Sequence, residues 1–584
     1  MNLGITALLN AYRSGEITPR ALVEWLIEAQ RQPDTHNVWI SSVGASDLRR
    51  RAEELEELSP DSLPLYGIPF AIKDNIDFES LPTTAACPAF SHTPAGSAHV
   101  VQRLVDAGAI VLGKTNMDQF ATGLVGTRSP HGACLNSVNP AYISGGSSSG
   151  SAVAVALGQA SFALGTDTAG SGRVPAAFNN LVGYKPTLGA LSTRGMVPAC
   201  LSLDAMSIFA LTADDAAIVA KVAAEHDPLD PWSRKSEVPA GRGWSQRVRF
   251  RFAIPEPGQR EFLGNTEYVR LYEEAIERLQ RIGGETVCVD IAPLLECASL
   301  LYQGPWVAER YLATLPLIES DPEALLPVTR QIIAAGALPT ARDAFRAVYR
   351  LKELRRAAES IWAKADVLLL PTAPTHFTIA DVQADPIARN SELGYYTNFV
   401  NLMDLAAVAV PAGSTPQGLP FGVSLIAPAW TDDDLLRLAA RMQASVDTVD
   451  PMPASDGFVD IAVCGAHMSG LPLNPQLTSR GAWLVAATHT SPEYRLHALP
   501  GGPPFRPGLE RVPDGGAAIE IEVWRMPVEA FGSFVAAIPS PLGIGRLRVA
   551  NGTEVSGFLC EAHALADATD ITQYGGWRRY LARE

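Results

Sequence analysis

Serine and glycine residues dominate two short stretches of the chain, GGSSSGS beginning at Gly145 and GTDTAGS beginning at Gly165. Such a composition is poor material for a hydrophobic core, because glycine loses much backbone entropy on folding and serine competes for backbone hydrogen bonds. Glycine lets backbone N–H groups approach a ligand closely, and a serine held beside them can act as a nucleophile. The two loops are therefore the first candidates for a catalytic site.

Other kinds of site use similar residues. A Walker-type phosphate loop needs a lysine after its second glycine, and none follows here. The dinucleotide fingerprint needs G-x-G-x-x-G early in a βαβ unit with an acidic residue about 20 positions later, and that pattern also fails. No nucleophile elbow of the α/β-hydrolase kind is predicted at a strand-to-helix turn. The loops thus favour a serine hydrolase that works without histidine.

Four motifs along the first part of the chain, GIPFAIKDN, GGSSSGS, GTDTAGS and GYKPT, resemble those of the amidase signature family, which uses a Ser–Ser–Lys triad. The resemblance implies that Lys73 is the base, that Ser147 relays the proton and that Ser171 is the nucleophile. The two serines are 24 residues apart. The resemblance also implies an oxyanion hole made by backbone N–H groups just before the nucleophile, those of Thr168, Ala169 and Gly170.

The chemistry of the triad agrees with the residue types. A lysine removes a proton from serine only when it is neutral, and burial lowers its pKa from about 10.4. Lys73 ends the apolar stretch Ile68–Ile72, which predicts desolvation of its ammonium group. Ser147 carries a hydroxyl that accepts and donates at once, so it suits a relay. Asp167 and Arg173 are predicted to brace the nucleophile loop rather than to react.

The elements around these residues predict an α/β fold. A strand–helix–strand rhythm runs through Leu65–Asp77, Ser97–Asp106 and Ala109–Thr115. Both serine loops follow predicted strands, and ligands of open α/β sheets bind beyond the carboxyl ends of strands. The resemblance implies the amidase signature fold, a mixed central sheet covered by helices on both faces.

The sequence after the core motifs resembles the allophanate hydrolase branch of that family. Part of this resemblance lies in the segment LLYQGPWVAERY, which we predict to belong to a helix over Leu294–Leu312. The resemblance implies that Tyr302 and Arg310 bind the substrate carboxylate. They are eight positions apart, slightly over two helical turns, so one helix would point both the same way. A planar guanidinium also suits a small carboxylate anion.

Composition changes after the amidase motifs. We predict an amidase domain over 1–445, a linker over 446–457 and a second domain over 458–584, mostly β, with a hairpin turn at Asn551-Gly552. The motif GAHMSG and the following segments resemble the C-terminal domain of allophanate hydrolases, which implies a small barrel-like γ-glutamylcyclotransferase fold. His467 is the candidate for assisting a decarboxylation there. Further possible anion ligands of this domain are Arg495, His497 and Arg506.

Composition limits the remaining functions. The chain has 584 residues, a formal net charge of −16 and a pI near 5.2, which argues against nucleic acid as the main partner. Seven cysteines without a CxxC pair indicate neither a zinc site nor a disulfide framework. We expect no metal and no organic cofactor, and a cytoplasmic location, since no signal or membrane-spanning pattern is recognised.

The predicted reaction is hydrolysis of the terminal C–N bond of allophanate, with release of ammonia and further breakdown to CO2 and ammonia. The resemblance also implies a homodimer and a functional link to urea carboxylase. The alternatives are a broad-specificity amidase, a non-catalytic scaffold and an A-type component of an amidotransferase. Retention of Lys73, Ser147 and Ser171 argues against the scaffold.

Overall fold

The structure, a computed structural model, describes residues 3–236, 243–247, 249–444, 458–468, 471–480, 482–502, 504–550 and 552–581. It divides into two compact units, one formed by Leu3–Gln443 and the other by the chain from Ala444 onward. The predicted linker over 446–457 lies outside the described residues, so the predicted domain boundaries stay predictions. In the described ranges, no helix combines the length and apolar character needed to cross a membrane.

The first unit is built on one 11-stranded mixed sheet, in the order β1-β3-β2-β4-β6-β5-β10-β11-β9-β7-β8. Parallel pairs join β2 to both β3 and β4, and β7 to both β8 and β9, while the other neighbours are antiparallel. The strands are β1 Trp39–Ser42, β2 Pro69–Lys73, β3 Ile110–Thr115, β4 Phe162–Asp167, β5 Val182–Lys185, β6 Ala205–Ala210, β7 Phe250–Pro255, β8 Gly284–Val289, β9 Val367–Pro371, β10 Leu405–Ser414 and β11 Pro420–Pro428.

Helices cover both faces of this sheet. Strand β9 shows it directly, because Val367 and Leu369 pack into one hydrophobic cluster while Leu368 and Leu370 pack into another. The helices of the unit are α1 Ile5–Ser14, α2 Pro19–Gln30, α3 Ala45–Glu56, α4 His99–Asp106, α5 Ser149–Ala156, α6 Val174–Phe178, α7 Ala213–Ala223, α8 Thr266–Arg281, α9 Ala292–Gln303, α10 Val307–Ser320, α11 Pro327–Ala334, α12 Ala341–Trp362, α13 Ile379–Ala384, α14 Ala388–Leu393, α15 Phe399–Leu402 and α16 Asp432–Ala444.

The prediction of a single helix over Leu294–Leu312 is wrong. The chain forms α9 and α10 instead, with a break at Gly304-Pro305. Proline has no N–H to donate and disfavours helical backbone in the residue before it. Gly304 accordingly takes an extended conformation, with φ −100° and ψ −170°. Tyr302 and Arg310 therefore stand on two different helices.

The second unit is mainly β, as predicted. Strands β12, β13, β16, β17 and β18 form a five-stranded sheet, and β14, β15 and β19 form a three-stranded one. Residue Asn551 of the predicted hairpin turn lies outside the described residues, although β17 and β18 on either side of it pair antiparallel. The elements are β12 Phe458–Val463, α17 Pro475–Thr478, β13 Trp483–His489, β14 Tyr494–Ala498, β15 Pro507–Arg511, β16 Glu520–Pro527, α18 Val528–Ala536, β17 Leu542–Arg548, β18 Glu554–Cys560, β19 Thr569–Asp570 and α19 Trp577–Leu581.

Candidate active site

The parallel pairing of β2 with β4 brings Lys73 to the serine loops. Strand β2 ends at Lys73, and Ile72 pairs with Leu164 of β4, so the carboxyl ends of both strands lie side by side. Lys73 Nζ donates to Ser147 Oγ over 2.7 Å and to Thr166 Oγ1 over 2.8 Å. The amine thus lies between two hydroxyl groups, one from each loop.

Burial gives Lys73 the protonation behaviour of a base. Its side chain is 0% exposed, and desolvation lowers its pKa from 10.5 to about 7. The negative charges of Asp118, Asp204 and Asp167 oppose this shift, whereas the charge of Arg310 adds to it. A substantial fraction of the lysine is therefore neutral at neutral pH, as a general base requires.

Ser171 is buried in the second serine loop, but its hydroxyl does not complete a hydrogen-bonded triad with Lys73 and Ser147. The two serine loops are tied together by Ser148, whose Oγ donates to the carbonyl of Thr166 over 3.1 Å. Ser171 is 2% exposed, and we find no hydrogen bond from its Oγ to any group of the described residues. Catalytic hydrogen bonds often tighten only when substrate is bound. The role of Ser171 therefore stays a prediction, and so does the relay through Ser147.

A buried ion pair shapes the nucleophile loop. Arg173 donates to Asp167 through Nε at 2.9 Å and Nη2 at 3.0 Å, and both side chains are 0% exposed. Asp167 also accepts the N–H groups of Gly170 and Gly172, at 2.9 and 3.0 Å. Burial raises the pKa of Asp167, but the charge and hydrogen bonds of Arg173, the charge of Lys185 and the N–H of Gly172 together hold it below its ordinary value. Asp167 and Arg173 brace the loop, as predicted.

The same contact corrects the predicted oxyanion hole. The Gly170 N–H points at Asp167 and is not a free donor. By contrast, the N–H groups of Thr168, Ala169 and Ser171 have no acceptor in the described part of the chain. Glycine is needed at position 170 for two steric reasons. Its φ of +129° is strained for other residues, and a Cβ there would lie 2.5 Å from Thr397 Oγ1.

Asp204 supports the loop from the other side. Its carboxylate accepts the hydroxyl of Thr168 at 2.5 Å and the N–H of Ala199 at 2.8 Å. Complete burial raises the pKa of Asp204 to about 6, although these hydrogen bonds and the charge of Arg310 act in the opposite direction. Asp204 thus adds a buried carboxyl group close to Lys73.

Tyr302 and Arg310 meet although they lie on different helices. The Arg310 guanidinium stands over the Tyr302 ring at 5.6 Å from its centre. Arg310 is 2% exposed, and its Nη1 donates to the Ala121 carbonyl and to Thr122 Oγ1, both at 3.2 Å. Its Nε and Nη2 make no hydrogen bond that we find within the described residues. This leaves half of the donor fork available for an anion.

His467 lies in the second unit beside a cavity of about 290 Å³. Its Nε2 is 3.0 Å from Gln476 Oε1, and its ring stacks on Phe558 at 5.0 Å. Burial lowers the pKa of His467, so the imidazole is neutral at neutral pH. Arg506 lines the same cavity.

The other two possible anion ligands of that unit are not among the residues that line this cavity. His497 Nε2 lies 3.3 Å from Glu510 Oε2, and Arg495 Nε donates to the Gly515 carbonyl over 3.1 Å. No group of three or more His, Cys, Asp or Glu side chains able to hold a metal ion occurs among the described residues.

Sequence reasoning missed Thr166, Asp204 and the support around Arg310. Thr166 lies inside a recognised motif, and the parallel register of β2 and β4 would have indicated it. Asp204 and Thr122 lie outside the recognised motifs. Only the folding of their loops brings them to the site, and the sequence does not indicate it.

Comparison with known proteins shows the family of the chain. The family model described as Amidase matches residues 22–436. The chain belongs to the amidase family. A second model, described as the allophanate hydrolase C-terminal domain, matches residues 459–582. These matches confirm the predicted resemblance and the predicted fold class.

The matching relatives include urea amidolyases and amidotransferase components. Urea amidolyase of Saccharomyces cerevisiae is 43% identical over 96% of this chain, but the chain spans only 32% of that protein. The A-type component of glutamyl-tRNA(Gln) amidotransferase from Deinococcus deserti is 33% identical over 75% of this chain and 95% of its own length. Among solved structures, Kluyveromyces lactis allophanate hydrolase is 42% identical with a TM-score of 0.72, covering 98% of both chains.

Proposed function

We propose that the protein is an allophanate hydrolase, a Ser–Ser–Lys amidohydrolase that cleaves the terminal C–N bond of allophanate. The observation that carries the proposal is that one unit holds both a buried amine that can act as a base and a buried guanidinium that can bind an anion. Lys73, with a pKa of about 7, donates to Ser147, and Arg310 keeps its Nε and Nη2 groups without a partner in the described residues, beside Tyr302. A neutral base and an open guanidinium suit a small amide that also carries a carboxylate.

In the proposed reaction, neutral Lys73 takes the hydroxyl proton of Ser147 while Ser147 takes that of Ser171. Ser171 Oγ attacks the terminal ureido carbonyl, and the oxyanion is stabilised by free backbone N–H groups of the Thr168–Ser171 loop. The C–N bond breaks and the relay returns a proton to the nitrogen, which leaves as ammonia. Water, activated by the same relay, then hydrolyses the acyl-enzyme ester and releases N-carboxycarbamate.

The second unit has a role in the next step under this proposal. N-carboxycarbamate takes up a proton and loses CO2 to give carbamate, which breaks down to ammonia and CO2. His467 lies beside a cavity that Arg506 also lines, so the two side chains are assigned to binding this anion, and the proton comes from water. The match of this unit to the allophanate hydrolase C-terminal domain supports the assignment.

The decisive experiment compares ammonia release from allophanate, acetamide and glutamine. Allophanate is expected to be hydrolysed with the highest kcat/KM, and Ser171→Ala serves as the blank for each substrate. Equal rates on all three would indicate a broad amidase, and a preference for glutamine would indicate an A-type component of an amidotransferase. The homodimer, the cytoplasmic location and the functional link to urea carboxylase stay predictions. The similarity to urea amidolyase supports the last of them.

A further inference from the structure

Two buried arginine side chains share one residue, Thr122. Arg310 Nη1 donates to Thr122 Oγ1 over 3.2 Å, and Arg128 Nη1 donates to the Thr122 carbonyl over 2.8 Å. Arg128 is 3% exposed and Arg310 is 2% exposed. Thr122 therefore connects the guanidinium that faces the proposed substrate with a second guanidinium behind it.

Arg128 is fixed on the side away from Thr122. Its Nη2 donates to the Pro386 carbonyl over 2.6 Å, and its backbone N–H donates to Asp118 Oδ1 over 2.9 Å. Asp118 also accepts the N–H of Gly126 at 3.0 Å, so one carboxylate binds two backbone N–H groups of the loop that carries Arg128. Arg128 thus bridges the Thr122 loop to a distant part of the chain and holds the Thr122 carbonyl in place.

The arrangement concentrates positive charge in a buried place. The side-chain contacts of Arg128 and Arg310 named above all go to carbonyl or hydroxyl oxygens rather than to carboxylates. Burial lowers the pKa of Arg128, and the charge of Arg310 adds to this effect while Asp118 opposes it. Two buried cations side by side repel each other, and an anionic ligand beside them relieves that repulsion.

We propose that Arg128 is a positioning residue for substrate selectivity, which acts through Thr122 to hold Arg310 in the orientation that binds the substrate carboxylate. The inference rests on the proposed function, because it assigns Arg310 to that carboxylate. Arg128 contributes to the preference for an anionic over a neutral amide, and not to the chemistry at Ser171.

The test measures selectivity as the ratio of kcat/KM for allophanate to kcat/KM for biuret, its neutral analogue with an amide in place of the carboxylate. Arg128→Met is expected to lower this ratio about tenfold or more, mainly through a higher KM for allophanate, because hydrogen bonds to charged groups contribute that much. Arg128→Lys keeps the charge without the planar fork and is expected to restore only part of the ratio. A purely structural role would lower both kcat/KM values together and leave the ratio unchanged.

Thr122→Val provides the second variant, should Arg128→Met fail to fold. It removes the Oγ1 acceptor of Arg310 and keeps the carbonyl that Arg128 contacts, so the same loss of selectivity is expected. The double variant with Arg128→Met and Thr122→Val is expected to lower the ratio no more than the worse single variant does. Both substitutions disturb the same connection, from Arg128 through Thr122 to Arg310. Fully additive losses would overturn the proposal.

A matched control is Arg278→Met. Arg278 is half-buried and, like Arg128, donates to a backbone carbonyl, that of Ala412, over 3.2 Å. We expect Arg278→Met to leave the ratio unchanged. If the unaltered protein does not hydrolyse allophanate, the proposed function itself fails. If it does and Arg128→Met keeps the ratio, only the inference about Arg128 is overturned.

Discussion

Lys73 Nζ lies 2.7 Å from Ser147 Oγ, and both side chains are completely buried. A lysine in such a place is charged only at a cost, because the ammonium ion has lost its water. The hydrogen bond therefore links Ser147 to a group that changes protonation near neutral pH rather than above pH 10. Activity should follow that change.

We expect kcat/KM to rise with pH through an apparent pKa near 7, the value that burial gives Lys73. Below that pH the protonated lysine cannot accept a proton, so the rate should fall about tenfold for each pH unit. Measurement of kcat/KM between pH 5.5 and 9, with the melting temperature recorded at each pH, separates this effect from unfolding. A profile that is flat from pH 6 to 8 would contradict the assignment of Lys73 as the base.

Thr166 is expected to orient the Lys73 amine. Its Oγ1 accepts one N–H of Nζ over 2.8 Å. This bond turns the other N–H and the lone pair of the neutral amine toward Ser147. Thr166→Val leaves a buried donor without an acceptor and should lower kcat about tenfold or more. Thr166→Ser retains the acceptor and should keep most of the activity. Equal kcat values for the two variants would show that the hydroxyl is not needed.

Replacement of Arg310 should alter both binding and the pH profile. Arg310→Met removes the carboxylate ligand and is expected to raise KM for allophanate about tenfold or more. It also removes a positive charge that lowers the pKa of Lys73, so the acid limb of kcat/KM should move to higher pH. The shift is best measured on acetamide, which has no carboxylate. Arg310→Lys keeps the charge and should leave unchanged the pH at which kcat/KM falls.

The sequence predicted those parts of the site that lie next to motif residues along the chain. Lys73 was assigned from the resemblance to the amidase signature motifs, and the apolar strand that leads into it predicted its burial. Gly170 was assigned the wrong task, since the side chain of Asp167 turns back to bind its N–H, and only the folded loop reveals this contact. The break at Gly304-Pro305 was visible in the sequence, and its neglect produced the single helix that the structure corrects.

The parts that could not be predicted depend on contacts between distant segments. Thr166 reaches Lys73 across 93 residues through the pairing of two parallel strands. Arg128 reaches Pro386 across 258 residues. Hydrophobic periodicity fixes which face of a strand or helix is buried, but it carries no information about which polar groups meet there.

His376 should make the protein less stable in mild acid. Its ring stacks on Phe178 at 3.8 Å, its Nε2 lies 2.7 Å from the Ile143 carbonyl, and burial lowers its pKa from 6.5 to about 4. The unfolded chain takes up this proton at higher pH than the folded protein does. This contribution to stability is therefore complete above pH 6.5 and is lost as the pH falls toward 4, by about 3 kcal/mol.

The variant His376→Gln isolates this effect, because glutamine can donate to the same carbonyl and does not titrate in this range. We expect it to be less stable than the unaltered protein at pH 7 and to show a flatter dependence of unfolding free energy on pH between 6.5 and 4. The measurement is urea unfolding at several pH values. Parallel pH curves for the two proteins would rule out His376 as a source of acid sensitivity.

His467→Ala should separate the two steps of the proposed reaction in the full-length protein. The change removes a neutral imidazole beside the cavity of the second unit, whereas Lys73 and the serine loops belong to the first unit. The first ammonia should therefore be released at the normal rate, while N-carboxycarbamate accumulates and CO2 appears more slowly. Allophanate labelled with ¹³C allows both carbon products to be followed by NMR, and Gln476→Leu tests the partner of the His467 ring. Release of CO2 at the normal rate in His467→Ala would remove this histidine from the reaction, whereas loss of the first ammonia would indicate a fault in folding.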